Sequence, residues 1–222
     1  MTGSSSEHNA STPAARREAP ATQIRQAQYA DAPAVGALLA SALAPKYRPT
    51  LGRRSAEALT RVIAHELRAS VHGYWVAERD AKVIGAAHLA TAEDQPATGV
   101  ARRLAQVVGW TRTLWALSAL SILAHGPLDD DEAYVGELAV APDARRQGVG
   151  LMLMRHLDAQ AQARGKSRIT LWVTDDNAAA RALYAGLGFT EHSDRRWRVG
   201  RLIFKSRGAI LMEKDLSGTA AP

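Results

Sequence analysis

The segment from Ala133 to Val173 constrains the fold more than any other part of the chain. It opens with a strand-forming run, Ala133-Tyr134-Val135-Gly136-Glu137-Leu138-Ala139-Val140, closed by Ala141-Pro142-Asp143. A glycine-bearing loop leads into residues 148–163, where Val149, Met152, Leu153 and Leu157 recur at helical spacing. Gly165 stops this helix, and Arg168-Ile169-Thr170-Leu171-Trp172-Val173 returns as strand. Strand, helix and strand in close succession predict a crossover unit, in which the two strands run parallel and the helix covers one face of the sheet. The chain is therefore of the α/β class.

The flanking segments extend that unit. Gln23 to Ala27 suits a short strand, and Asp31-Ala32-Pro33 supplies a cap and a first-turn proline for a helix running to Ala42. Pro45 and Pro49 are expected to break the chain before a second helix opens at Ser55, with Leu59, Val62, Ile63 and Leu67 on one face. Gly73 to Glu78 and Lys82 to Leu89 read as a hairpin turning at Arg79-Asp80-Ala81. Val100 to Ala124 reads as one helix covering the sheet or a substrate cleft, with Trp110 and Trp115 in the core or a lid. Its apolar part is shorter than the ~20 residues a membrane span needs, and Arg112 interrupts it. Asp176 or Asn177 caps a helix to Ala185, Gly186 to Gly188 turn the chain, and a final strand covers Ala209 to Met212. The expected organisation is a disordered tail over 1–21, one domain over 22–216 with a helical insertion at 93–131, and a flexible end at 217–222.

Composition removes several function classes. The chain has no cysteine, which excludes disulfides, thiolate metal sites and a cysteine nucleophile. No two of its seven histidines stand four apart, so no metal ligand set is expected. The opening residues lack the apolar run of a secretory signal, which makes a cytoplasmic location the expectation. A formal charge of +6 favours anionic ligands without choosing among them. The cluster Arg195-Arg196-Trp197-Arg198 is expected on a solvated face rather than on nucleic acid.

Chemistry concentrates in Arg145-Arg146-Gln147-Gly148-Val149-Gly150, between strand and helix. Two glycines permit close backbone approach, and the first amides of the helix have no internal partners, so the loop is suited to a pyrophosphate. It lacks the Gly-Lys-Ser/Thr ending of a P-loop, and Leu153 stands where the third glycine of a dinucleotide fingerprint belongs.

This loop, following Leu138-Ala139-Val140-Ala141-Pro142, resembles the pyrophosphate motif of GNAT acetyltransferases. Leu171-Trp172-Val173-x-x-x-Asn177-x-x-Ala180-x-x-Leu183-Tyr184-x-x-Leu187-Gly188-Phe189 resembles the second half of that family's cofactor site. The resemblance spans about residues 134 to 190. It implies a mixed, mostly antiparallel sheet of about seven strands flanked by helices, the insertion lying between the third and fourth strands. It also implies acetyl-CoA as cosubstrate and direct transfer to a primary amine of a small molecule or peptide. The backbone of Leu138, Ala139 and Val140 would pair with the pantetheine arm. Amides of Arg146, Gln147, Gly148, Val149, Gly150 and Leu151 would hold the pyrophosphate, with Arg145 adding charge and Asn177 and Ala180 lying near the thioester end.

Tyr184 follows Asn177 by seven residues, on nearly the same helical face, and is the candidate general acid. Glu137, the one carboxylate within its strand, is the candidate base, and the Val140 N–H the candidate oxyanion donor. Each has a plainer reading: Asn177 as a helix cap, Tyr184 as a packed ring, Glu137 as an ion-pair partner. A non-catalytic acyl-CoA sensor is the alternative function, and the apolar stretch at 110–123 allows a homodimer.

Overall fold

Short runs dominated by apolar residues build the first half of the sheet, as suits strands covered on both faces. The computed structural model describes residues 21–94, 99–121, 127–192 and 209–218. Strands β1 (Gln23–Gln26), β2 (Tyr74–Arg79) and β3 (Lys82–Thr91) pair antiparallel. The β2–β3 turn takes two residues, Asp80 and Ala81, both at positive φ (52° and 56°), the hand that matches the twist of a tight hairpin. β4 (Glu132–Val140) continues the antiparallel order. β5 (Arg168–Thr174) then lies parallel to β4, joined to it by the crossover helix α5 (Val149–Ala163). α6 (Ala178–Gly186), β6 (Thr190–His192) and β7 (Ala209–Asp215) complete the chain. The seven strands are ordered β1-β2-β3-β4-β5-β7-β6, which meets the expected mixed, mostly antiparallel α/β sheet.

Helices cover both faces. α5 and α6 bury Val149, Leu153, Leu157 and Tyr184 against β-strand residues such as Ala87, Leu89, Val135 and Ile169. On the opposite face, α1 (Ala32–Leu51) and α2 (Ser55–Ala69) bury Val35, Leu39, Ile63 and Leu67 against Tyr74, Val76, Ala86 and Ala139.

Three expectations are corrected. α1 does not stop near Ala42 but runs through Pro45 and Pro49 to Leu51. Proline costs a helix a backbone hydrogen bond, but burial of Leu51 (1% exposed) at the far end opposes that cost, and the Ser55 hydroxyl ties the Ala44 carbonyl to α2 at 3.2 Å. The insertion is two helices, α3 (Val100–Val108) and α4 (Trp110–Ser121), because Gly109 turns to φ +83°. These pack on α1 and α2 through Leu104, Val107 and Ala116, forming a third layer over the helices rather than a cover on the sheet. Consequently Trp110 and Trp115 are not core residues: α4 buries its small side chains Thr113 and Ala116 and leaves the two indoles 60% and 54% exposed. The basic cluster at 195–207, most of residues 1–21 and the last four residues lie outside the described residues. Among the described residues, no helix is long and apolar enough to cross a membrane.

Candidate active site

The central feature is a split in the sheet. β4 and β5 pair only over Glu132–Val135 and Arg168–Leu171. Beyond that point β4 stays bonded to β3 as far as Val140, and β5 stays bonded to β7 as far as Thr174. Gly136 to Val140 and Trp172 to Thr174 therefore flank a gap with their inner edges unbonded to each other. The Ala141 amide donates to the Ile84 carbonyl at 2.9 Å, which makes that pair hydrogen-bonded. By antiparallel alternation, Ala139 turns its backbone to β3, while Leu138 and Val140 turn their N–H and C=O groups toward the gap. Of the three residues expected to meet the pantetheine arm, Leu138 and Val140 thus offer backbone groups there.

The split coincides with a bulge. Leu89 pairs with Val135 and His88 with Glu137, so Gly136 is the extra residue of β4. A bulge bends its strand and shifts the alternation of side chains by one. Ala133 and Val135 face α5, as do Leu138 and Val140, while Glu137 and Ala139 face α1 and α2. Glycine at the bulge leaves space for the imidazole, since a Cβ there would lie 3.1 Å from His88 Nδ1 and press on the ring.

At the open end of the split lies the loop into α5. Arg146 (φ +63°) and Gly148 (φ +80°) are left-handed, so neighbouring backbone N–H groups converge on one concavity at the start of a fifteen-residue helix. Gln147 fastens the loop: its amide donates to the Asp143 carbonyl at 2.7 Å, and its Oε1 accepts from Arg79 at 2.7 Å. Arg145 Nε donates to the Val140 carbonyl at 3.2 Å, tying the loop to the end of β4. Buried Val149 anchors the helix beneath the exposed turn, and Leu151 is half-buried in its first turn. A Cβ on Gly150 would sit 3.4 Å from Leu183 and 3.8 Å from Val140, in ordinary van der Waals contact with both, so helix start, α6 and β4 meet here and anything larger than a methyl group would crowd them. These features form a cradle fitted to an elongated phosphorylated ligand running into the gap.

α6 closes the other side. Asn177 caps it, Oδ1 accepting from the Ala180 amide at 3.2 Å, so its plainer reading holds. Tyr184 is buried (8% exposed) beside Phe189, with ring centroids 5.9 Å apart, and burial holds its phenol up to about 12. It is protonated throughout the neutral range and able to donate.

On the α1–α2 face, Glu137 joins residues that the sequence did not single out. His88 Nδ1 stands 3.2 Å from Glu137 Oε2, and Tyr74 stacks on the His88 ring at 4.2 Å and 17°. Burial is the largest single influence and pulls the His88 pKa down, but Glu137, with smaller contributions from Asp94 and Glu66, outweighs it, and the net direction is up. Burial, then the Glu137 charge, push Glu66 of α2 up to about 7, with the Tyr74 hydroxyl acting in the opposite direction. Tyr47 is held up to about 12 and Tyr134 is also raised, in each case by burial first and Glu137 second. No local motif marks His88 or Glu66, because only the register Tyr74↔His88↔Glu137 and the packing of α2 bring them together.

A sheet split beside a left-handed, glycine-bearing helix start defines the class: an acyl-CoA N-acyltransferase fold. The chain belongs to the acetyltransferase (GNAT) family, whose sequence model matches residues 37–189. It is 47% identical over 66 residues to a [ribosomal protein bS18]-alanine N-acetyltransferase of Escherichia coli (strain K12), covering 30% of this chain and 45% of that protein. It is 38% identical over 81 residues to a mycothiol acetyltransferase of Geodermatophilus obscurus, covering 35% of this chain and 26% of that protein. The chain thus spans less than half the length of these curated relatives. A PaiA N-acetyltransferase from Thermoplasma acidophilum, solved in complex with coenzyme A, superposes with a TM-score of 0.57 at 14% identity, covering 88% of this chain and 99% of that one. That likeness bears on the fold.

Proposed function

We propose that the protein transfers the acetyl group of acetyl-CoA to a primary amine by direct attack within a ternary complex. The observation that carries this reading is the coincidence of the β4–β5 split with the Arg146–Gly148 cradle at its open end. Acetyl-CoA supplies the acyl group already activated as a thioester. Amides from Arg146 through Leu151 hold the pyrophosphate, with Arg145 and Arg146 adding positive charge, and Leu138 and Val140 pair with the pantetheine arm as a neighbouring strand would. Ala139 supports these two from the β3 side. Asn177 and Ala180 shape the start of α6 beside the thioester.

The Val140 N–H meets the negative charge that develops on the carbonyl oxygen. Tyr184 keeps its proton at neutral pH and delivers it to the departing sulfur. Glu137, on the face opposite α5, takes the proton of the acceptor ammonium. The relatives' names support an amine acceptor in general, since one is named for a ribosomal-protein alanine and the other for mycothiol. The exposed indoles of α4, with Leu114 between them in sequence, support a homodimer.

Calorimetric titration of acetyl-CoA into the protein and into the double variant Gly148→Val, Gly150→Leu tests the reading. Gly148 has a left-handed backbone that valine resists, and a leucine at Gly150 would reach past a Cβ position already in contact with Leu183 and Val140, so the variant is expected to lose binding by a factor of about 100 or more. Absence of binding to the unaltered protein would sink the proposal. Tight binding without turnover of any amine would favour the acyl-CoA sensor.

A further inference from the structure

His88 is used neither by the cradle nor by the transfer step, yet the fold builds a slot for its ring. The register sets Tyr74, His88 and Glu137 side by side on three adjacent strands. Tyr74 stacks on the imidazole, with ring centroids 4.2 Å apart and planes 17° from parallel. Glycines clear both edges: a Cβ on Gly73 would lie 3.1 Å from Cδ2 and 3.2 Å from Nε2, and one on Gly136 would lie 3.1 Å from Nδ1. So held, the ring directs Nδ1 at β4, where Glu137 Oε2 stands 3.2 Å away. Oε2 is buried and accepts no hydrogen bond among the described residues, so the imidazole is the group that answers its charge. The carboxylate is still open to an incoming amine, since Glu137 keeps 28% of its side chain exposed.

Resting on the acetyltransferase reading, with Glu137 as its base, we infer that His88 is a positioning residue of the reaction and the final holder of the proton that the acceptor ammonium gives up. The ammonium passes a proton to the Glu137 carboxylate, whose Oε2 passes it to Nδ1 of a neutral imidazole that carries its own hydrogen on Nε2. Glu137 is then an anion again, beside an imidazolium. The nitrogen lone pair so freed forms the C–N bond, and the C–S bond breaks with its electrons on sulfur, which takes the Tyr184 proton. The second N–H proton of the intermediate returns to Tyr184 through solvent, so the products are amide, thiol and one proton held on His88. An imidazole is ordinarily a stronger base than a carboxylate by about two pKa units, so it keeps this proton at a pH where a lone carboxylate returns it. Burial opposes the imidazolium, but Glu137, Asp94 beyond β3 and Glu66 of α2 favour it. The other titratable groups around the pair are Lys46, whose charge burial opposes, and Tyr47 of α1, Tyr74 of β2 and Tyr134 of β4.

The test follows thiol release from acetyl-CoA with two acceptors at pH 8: n-butylamine, there an ammonium, and hydroxylamine, there already uncharged. His88→Asn keeps an N–H donor near the place of Nδ1 but takes up no proton. It is expected to lower kcat about 100-fold for n-butylamine and less than about threefold for hydroxylamine, leaving KM for acetyl-CoA unchanged. A purely structural role would lower both acceptors alike, so equal losses, or none, would overturn the inference. In the unaltered protein, kcat for n-butylamine is expected to rise with pH and level off where NMR shows the His88 imidazole titrating in the complex with desulfo-CoA. That profile needs no variant, and a kcat still climbing well beyond the imidazole's titration would overturn the inference too.

Transfer to neither acceptor by protein that binds acetyl-CoA would favour the sensor. Failure to bind acetyl-CoA would remove the acetyltransferase reading itself. In either case the inference goes with the reading on which it rests, whereas the outcomes with His88→Asn and the pH profile overturn it while acetyl transfer stands.

Discussion

At the scale of single residues, burial and charge decide what each side chain can do. Tyr184 and Glu66 are both shifted chiefly by loss of water, but the consequences differ. The phenol stays protonated at every physiological pH, while the carboxyl group is brought to about 7, within the working range. The latter has a linkage consequence. Glu66 is held above its ordinary value of 4.5 in the folded protein, so the ionised form is worse off folded than unfolded. The associated stability is complete below pH ~4.5, declines as pH rises, and is gone above about pH 7. Glu66→Gln removes this dependence. Relative to the unaltered protein, the variant is expected to gain on the order of 2–3 kcal/mol between pH 5 and pH 8, measured by urea unfolding at both. An unchanged difference between the two pH values would show that Glu66 ionises in the fold as freely as in water.

At the scale of elements, the bulge at Gly136 links sheet geometry to chemistry. Without the bulge, with Gly136 paired as an ordinary strand residue, regular alternation would send Glu137 to the same side as Val135, into the packed face under α5. With it, Glu137 meets His88 on the α1–α2 face, and β4 bends where it leaves β5. Gly136→Val places branched carbon against the His88 ring, whose Nδ1 is already within 3.1 Å of a bare Cβ position. The ring is expected to leave Glu137. Because that carboxylate is the largest of the influences raising His88, against a burial that lowers it, its pKa should fall, as read by NMR titration of the imidazole. A His88 titration identical to that of the unaltered protein would show that the bulge does not position the pair. The cap of α6 and the loop into α5 are simpler cases, since each is encoded within a few residues.

At the scale of the whole molecule, the insertion stacks on α1 and α2 and turns its indoles outward. Trp110, Leu114 and Trp115 are each more than half exposed, a large apolar surface for one short helix. A homodimer formed through this face predicts that sedimentation velocity gives twice the 23.8 kDa chain mass, returning to the single mass in Trp115→Glu. A single mass at high concentration in the unaltered protein would rule out self-association through α4.

The β-α-β unit, the glycine loop, the Asn177 cap and the candidate acid and base were all legible in residue order, because period, glycine placement and capping are local properties of the chain. The continuation of α1 past Pro45 is not legible locally, since the contacts that carry it onward come from Leu51 and α2. The same limit hid His88 and Glu66, which ordinary spacing marks as an unremarkable strand residue and helix residue. Their role depends on register across three strands, on one extra residue in β4 and on where α2 comes to rest. Those are settled by contacts between residues far apart in sequence, and only the tertiary structure brings them together.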